Sequence, residues 1–239
     1  MSEFAGTIWR YAVIAAVVVV GAIVAIAISL DDGGAGDAAA LAGGPAAAEP
    51  GGGAFWSAVR INGSDRLFAA GLDELRAQSD VAVLATVEAL RVNRVVEGDV
   101  PDGRAVFGVA DLRVERVVAG EPDRPARVIG VELALAGTAE ESLAQVRRAA
   151  ADLPAGPVLA FLMSVDRELA REAAAGRTPR RVPEQAGLYI PHSSVGIFAA
   201  TDRAAVDTPI GDRGRFREEL AGVPSVSALA SRIAAAPSG

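Results

Sequence analysis

Between Arg10 and Asp31 the chain runs for twenty residues, Tyr11 to Leu30, without a charge. A helix of that length spans roughly 30 Å, the thickness of a bilayer's hydrocarbon core. Backbone amides in lipid find partners only within their own segment, so the stretch is predicted to cross a membrane as a single helix despite its β-branched residues. The pattern then changes twice. Residues 31–53 carry almost no large apolar side chains, and from residue 54 onward apolar and polar positions alternate as in an ordinary folded domain.

Within that domain, Leu72 and Leu75 lie three apart in a short polar stretch ending at Ser79, which predicts one or two helical turns. Residues 81–96 and 104–118 are rich in β-forming side chains and flank the turn-forming run at 98–103, a long hairpin. In the second arm Asp111, Arg113 and Glu115 alternate with Leu112 and Val114 until Val117 and Val118 break the phase. A β-bulge near Arg116 accounts for the slip and would bend the strand. After a turn at 120–125, Val128 to Leu135 predicts a third strand. Thr138 and Glu141 have capping-box spacing, Leu143, Val146 and Ala150 mark an apolar helix face, and Pro154 ends the helix. The run Val158 to Met163, apolar on both faces, predicts the most buried strand. A helix at Arg167 to Ala175 and a basic loop follow. Short strands at Leu188 to Ile190 and Val195 to Thr201 are separated at Pro191, which cannot donate to a ladder. A last helix, Ser227 to Ala235, would pack through Leu229 and Ile233.

The order strand, strand, strand, helix, strand, strand is that of a five-stranded oligonucleotide/oligosaccharide-binding (OB) barrel. The expected fold is mainly β: a single N-terminal transmembrane helix, a flexible linker, and an OB-like five-stranded barrel with a helix between strands 3 and 4 and small peripheral helices. The domain boundaries expected are a cytoplasmic N-terminus at 1–10, the span at 11–30, a Gly/Ala/Pro-rich linker at 31–53 and an extracytoplasmic β-rich domain at 54–239, with its core at about 71–210.

Composition sets the topology and excludes several function classes. Arg10 precedes the span and no basic residue follows it until Arg60, so the N-terminus is expected inside and the main domain outside. A cleaved signal peptide is the alternative, with Ala38–Ala40 or Ala46–Ala48 as small-residue sites, but the apolar core exceeds a usual signal sequence. Gly, Ala and Pro make up 18 of the 23 residues at 31–53, a composition for a flexible tether reaching roughly 25–30 Å. The chain has no Cys, which removes both a disulfide framework and a lipidated cysteine, so packing alone must hold the domain. From residue 54 there are 22 Arg and 25 Asp plus Glu, a net charge of −3 that gives no electrostatic reason to expect nucleic acid.

The search for chemistry yields little. His192 is the only imidazole, so neither a zinc site of the usual ligand set nor any cofactor is expected. The same residue precedes Ser193 and Ser194, but neighbours in sequence rarely meet in base-to-nucleophile geometry, and a loop histidine is the plain reading. The acidic doublets Asp73–Glu74, Glu140–Glu141 and Glu218–Glu219 read as helix caps or solvent-facing groups. Phe107, Phe161, Tyr189 and Phe198 fall at apolar strand positions and read as core. Arg177, Arg180 and Arg181 form the concentrated positive patch, a candidate contact for an anionic surface.

Ser79-Asp80-Val81, the segment Leu112 to Glu121, Gly156 with Leu159 to Leu162, and Gly196-Ile197-Phe198 together resemble uncharacterised bacterial secreted or membrane-anchored proteins related to netrin-like and tissue-inhibitor-of-metalloproteinase domains. The resemblance covers about residues 71–210 and implies an OB-like barrel. Metalloproteinase inhibition in that family rests on an N-terminal Cys, which this chain lacks, so that activity is not expected. The expectation is a non-catalytic binding or envelope-assembly module, held in the bilayer by residues 11–30, with a protein or envelope polymer as partner. The rivals are an envelope-polymer hydrolase using carboxylates and a structural tether that self-associates through small pairs such as Ala12 with Ala16.

Overall fold

The computed structural model describes residues 52–60, 69–97, 104–136, 139–193, 195–210 and 216–236. The expected span at 11–30, nearly all of the linker, Thr138 and Ser194 lie outside the described residues. Among the described residues no helix is long and apolar enough to cross a membrane.

The chain enters the domain through a short helix, α1 (Gly53–Ala58), and a two-residue strand, β1 (Val59–Arg60). Then come α2 (Leu72–Gln78) and two strands of seventeen residues each, β2 (Val81–Glu97) and β3 (Arg104–Gly120). After β4 (Val128–Leu135), α3 (Ala139–Ala151) crosses to β5 (Val158–Ser164), which runs directly into α4 (Val165–Ala174). A 3-10 turn at Pro183–Gln185, β6 (Tyr189–Pro191), β7 (Ile197–Ala199), α5 (Arg217–Leu220) and α6 (Val226–Ala235) complete the order.

Six strands lie in the order β1-β4-β3-β2-β5-β6, and β7 adds to β5. A parallel pairing of Val131 with Tyr189 joins β4 to β6, so this mainly β sheet partly closes into a ring. Bulges bend the long hairpin far enough to permit that closure. Glu115 and Val118 have no cross-strand partner on β3, which places irregularity on both sides of Arg116, where the phase slip predicted it. Glu88 and Asn93 are the extra residues on β2. Gly120, at φ +68°, ends β3 where a Cβ would lie 2.2 Å from the Asp80 carbonyl oxygen, so the crossing of β3 over the start of β2 demands glycine.

Two apolar layers hold the domain together. Val83, Val87, Leu112, Val131, Leu133, Val158 and Leu162 fill the ring with Phe55 from α1. Outside it, Leu159, Phe161 and Phe198 pack with Leu72 and Leu75 of α2, Phe216, and Leu229 and Ile233 of α6. β5 is buried at all seven positions because it is the wall between these layers, which is why its sequence shows no alternation. Phe161, Phe198 and Phe216 stack in series with centroids 5.7 and 5.6 Å apart.

Several expectations are corrected. α3 buries Ser142, Val146 and Ala149, whereas Leu143 is 49% exposed and Ala150 lies outside the contact, so its buried stripe is rotated from the predicted one. Pro191 is the last residue of β6, opposite Leu162, rather than a break before a strand. The strand expected at 195–201 is only Ile197–Ala199. α1, β1 and α5 carry no strong periodicity and were not foreseen.

Asp152, just after α3, fixes the start of α1: its carboxylate accepts the amides of Gly52, at 3.1 Å, and Ala54, at 2.7 Å. Those two bonds hold its carboxyl below the usual range. Asp152→Ala is expected to speed hydrogen exchange at the Ala54 amide while leaving β5 protected; equal exchange in both proteins would remove Asp152 as the anchor.

Candidate functional site

A cleft of about 310 Å³ opens at one end of the ring, between the β3–β4 turn, the first residues of β4, the start of α4 and the approach to β6. Its floor is set by short-range chemistry that the sequence spreads over more than sixty positions. Tyr189 of β6 is buried, and its hydroxyl accepts the Asp123 amide at 2.8 Å. Burial pushes the Tyr189 phenol up from its ordinary value, only partly offset by the Asp123 amide. The Asp123 carboxylate meets the Arg167 Nε at 2.6 Å with one oxygen and receives the Ser164 hydroxyl with the other. Ser164 also caps α4 by accepting the Arg167 amide at 3.1 Å. Its own amide donates to Asp80 at 2.9 Å, and Asp80 pairs with Arg171. β2, the β3–β4 turn, β5 and α4 are thus locked together beneath the cleft.

The rim is less committed. Asp166 accepts the Gly187 amide at 3.0 Å and forms no ion pair among the described residues. The Arg124 guanidinium lies over the α-carbon of Gly187, where a Cβ would come within 2.8 Å of Nη2, and φ of +70° also demands glycine there. Arg124 makes no hydrogen bond or ion pair among the described residues. Val128, 43% exposed, and Ala126 and Ala186 supply an apolar wall.

A second polar cluster lies on the outer face of β4. Glu132 is 1% exposed, yet a regular strand would leave it facing water beside Val131 and Leu133. Arg94 grips it with two parallel bonds of 2.9 Å while stacking 4.0 Å over Phe107, and Asn93 donates at 3.0 Å. Neighbouring residues of a strand point to opposite faces, so Asn93 and Arg94 both reach Glu132 only because Asn93 is the bulged residue. Gln185 donates to the same carboxylate and Asn93 to the Glu184 carbonyl, so the cluster straps the 183–188 segment, and with it Gly187, onto the sheet. Burial raises the Glu132 carboxyl, but the bonds from Arg94, Gln185 and Asn93 outweigh it, and the net displacement is downward.

His192 lies in a loop, as expected, and is buried there: it is 3% exposed, and neither ring nitrogen has a partner among the described residues. Its ring therefore holds no hydrogen bond to Ser193, which is itself buried. Burial lowers the imidazole pKa, opposed by the charges of Glu74 and Asp80. Glu219 accepts the Leu72 amide at 3.0 Å and Glu74 the Ala70 amide at 2.6 Å, so two members of the acidic doublets act at the start of α2. Arg177, Arg180 and Arg181 are exposed on the segment after α4, with Arg177 3.8 Å from Glu172. The fold does not bring them to the cleft's lining. Among the described residues no group of three His, Asp or Glu is placed to hold a metal ion.

The cleft residues were not singled out by sequence reasoning, because none forms a motif and they converge only through the ring. The local signal was Gly187 beside Leu188 and Tyr189, a glycine directly before a strand. Compared with known proteins, the chain matches no family model, no curated protein and no solved structure.

Proposed function

We propose that this chain is a single-pass, membrane-anchored extracytoplasmic binding or envelope-assembly module, with the cleft beside Tyr189 as its binding surface. The observation that carries the reading is the state of the cleft's charges: both Asp123 oxygens are engaged, by Arg167 and Ser164, while Arg124 and Asp166 are left to meet a ligand. A carboxylate so occupied is placed to build a wall, not to attack or to carry a proton. The ring supports an OB-like reading of the barrel. Taking β2, β3, β4, β5 and β6 as strands one to five, the ring runs one, two, three, five, four, with α3 between strands three and four. That order also suits the netrin-like resemblance. The uncharged stretch Tyr11 to Leu30 supports the anchor, and the exposed Arg177, Arg180 and Arg181 remain the proposed contact for an anionic surface. A carboxylate hydrolase is the second reading, resting on Asp166, the cleft carboxylate that forms no ion pair among the described residues.

Protease added to spheroplasts is expected to cut the 31–53 tether and release a compact C-terminal fragment. Protection until the bilayer is lysed would reverse the orientation. A photoreactive side chain at Val128 should crosslink an envelope component in intact cells, and the absence of any crosslink there would remove the cleft as the binding surface.

A further inference from the structure

Arg124 and Asp166 share one neighbour and do not neutralise each other. Asp166 holds the Gly187 amide, Arg124 lies over the Gly187 α-carbon, and the two charges form no ion pair. Exposed opposite charges gain little by pairing, so nothing forces Arg124 and Asp166 onto each other. Here a backbone glycine is wedged between them, braced by the Glu132 strap through Gln185 and Glu184. The remaining charge in the cleft's lining, Asp123, is cancelled by Arg167 beneath it. What is left is a cationic point and an anionic point that both lie against Gly187, with the apolar Val128, Ala126 and Ala186 and the Tyr189 phenol in the same lining.

We propose that the cleft binds a small zwitterion, a free α-amino acid or the charged end of a short peptide, with its carboxylate on Arg124 and its ammonium on Asp166. This rests on the reading of the cleft as the binding surface. A ligand with one charge would leave the opposite protein charge uncompensated, whereas a zwitterion satisfies both without changing the net charge. The volume of about 310 Å³ admits one or two small residues, and the wall at Val128 suits a short aliphatic side chain. The left-handed backbone requires glycine at 187, and a side chain there would also displace the Arg124 guanidinium from its place over the α-carbon.

The test is calorimetric titration of the full chain in detergent micelles with alanine, dialanine, N-acetylalanine and alaninamide. Alanine or dialanine is expected to bind, and whichever binds identifies the free or the peptide form. Blocking either terminus should weaken binding about tenfold or more, since each removes a hydrogen bond between charged groups. Arg124→Gln should erase the difference between alanine and alaninamide, and Asp166→Asn that between alanine and N-acetylalanine. No binding of either zwitterion, or equal binding of the blocked forms, overturns the proposal. If the Val128 crosslink forms in cells while both zwitterions fail, the ligand class is wrong and the binding surface stands; if both fail, the binding reading falls with it.

Discussion

Arg94→Ala is expected to lower the unfolding free energy by about 3–5 kcal/mol, as when one partner of a buried ion pair is removed. The cost comes from Glu132, which stays at 1% exposure without the guanidinium that holds both its oxygens. The pH dependence supplies the sign. In the native protein the Glu132 carboxyl sits below its ordinary value of 4.5, so its contribution is present above that pH and is lost as pH falls through the depressed value. Without Arg94 the burial that pushes the carboxyl up is opposed only by Gln185 and Asn93. The folded pKa then rises, and the variant should lose stability as pH increases above about 4.5 instead of gaining it. Urea unfolding of both proteins at pH 4.5 and 7 checks this: the difference between them should be greatest at pH 7. A variant as stable as the parent at pH 7 would show that the cluster is not a brace.

The second large effect belongs to His192. Its folded pKa is depressed by burial below the ordinary 6.5, with Glu74 on α2 and Asp80 before β2 acting in the opposite direction. Between the depressed value and 6.5 the unfolded chain binds a proton that the folded chain refuses, so stability falls as pH drops below about 6.5 and levels off once the folded ring titrates. His192→Leu removes the titrating group and two buried nitrogens without a partner among the described residues, so the fall of the unfolding midpoint just below pH 6.5 should shrink, at little cost at pH 8. This loss begins below about pH 6.5, whereas that of Glu132 begins below about 4.5. Equal slopes in parent and variant would locate the acid sensitivity elsewhere.

These two groups mark the boundary of what sequence patterning can read. Val158 to Met163 was legible as the central strand because an apolar run without alternation has few alternatives to burial on both faces. The hairpin and its bulge near Arg116 were legible because a phase slip is a local event. Glu132 was not, since a single carboxylate among alternating apolar residues looks like any outward-facing position; its burial depends on a bulge forty residues earlier and a 3-10 turn fifty residues later. His192 lies in a loop, as its turn-forming neighbours Pro191 and Ser193 imply, but its burial was not legible, because the groups near its ring, Glu74 and Asp80, come from more than a hundred residues earlier. The stripe of α3 was misplaced because small residues, Ser142 and Ala149, do the packing there, and a hydrophobicity count overlooks them in favour of Leu143.

By itself the sequence determined the things that local chemistry controls: an uncharged segment of bilayer length, a stretch at 31–53 nearly without large apolar side chains, the order of the main strands and the helix between β4 and β5, and a core held without disulfides. Only the tertiary structure decided which charges meet. The pairing of Val131 with Tyr189 joins β4 to β6 and brings Asp123, Arg124, Asp166 and Gly187 around one cleft. The physical reason is range. Periodicity and turn propensity act over a few residues, whereas burial of a carboxylate, loss of a proton from an imidazole and the separation of two charges by a glycine depend on groups that only chain closure places side by side.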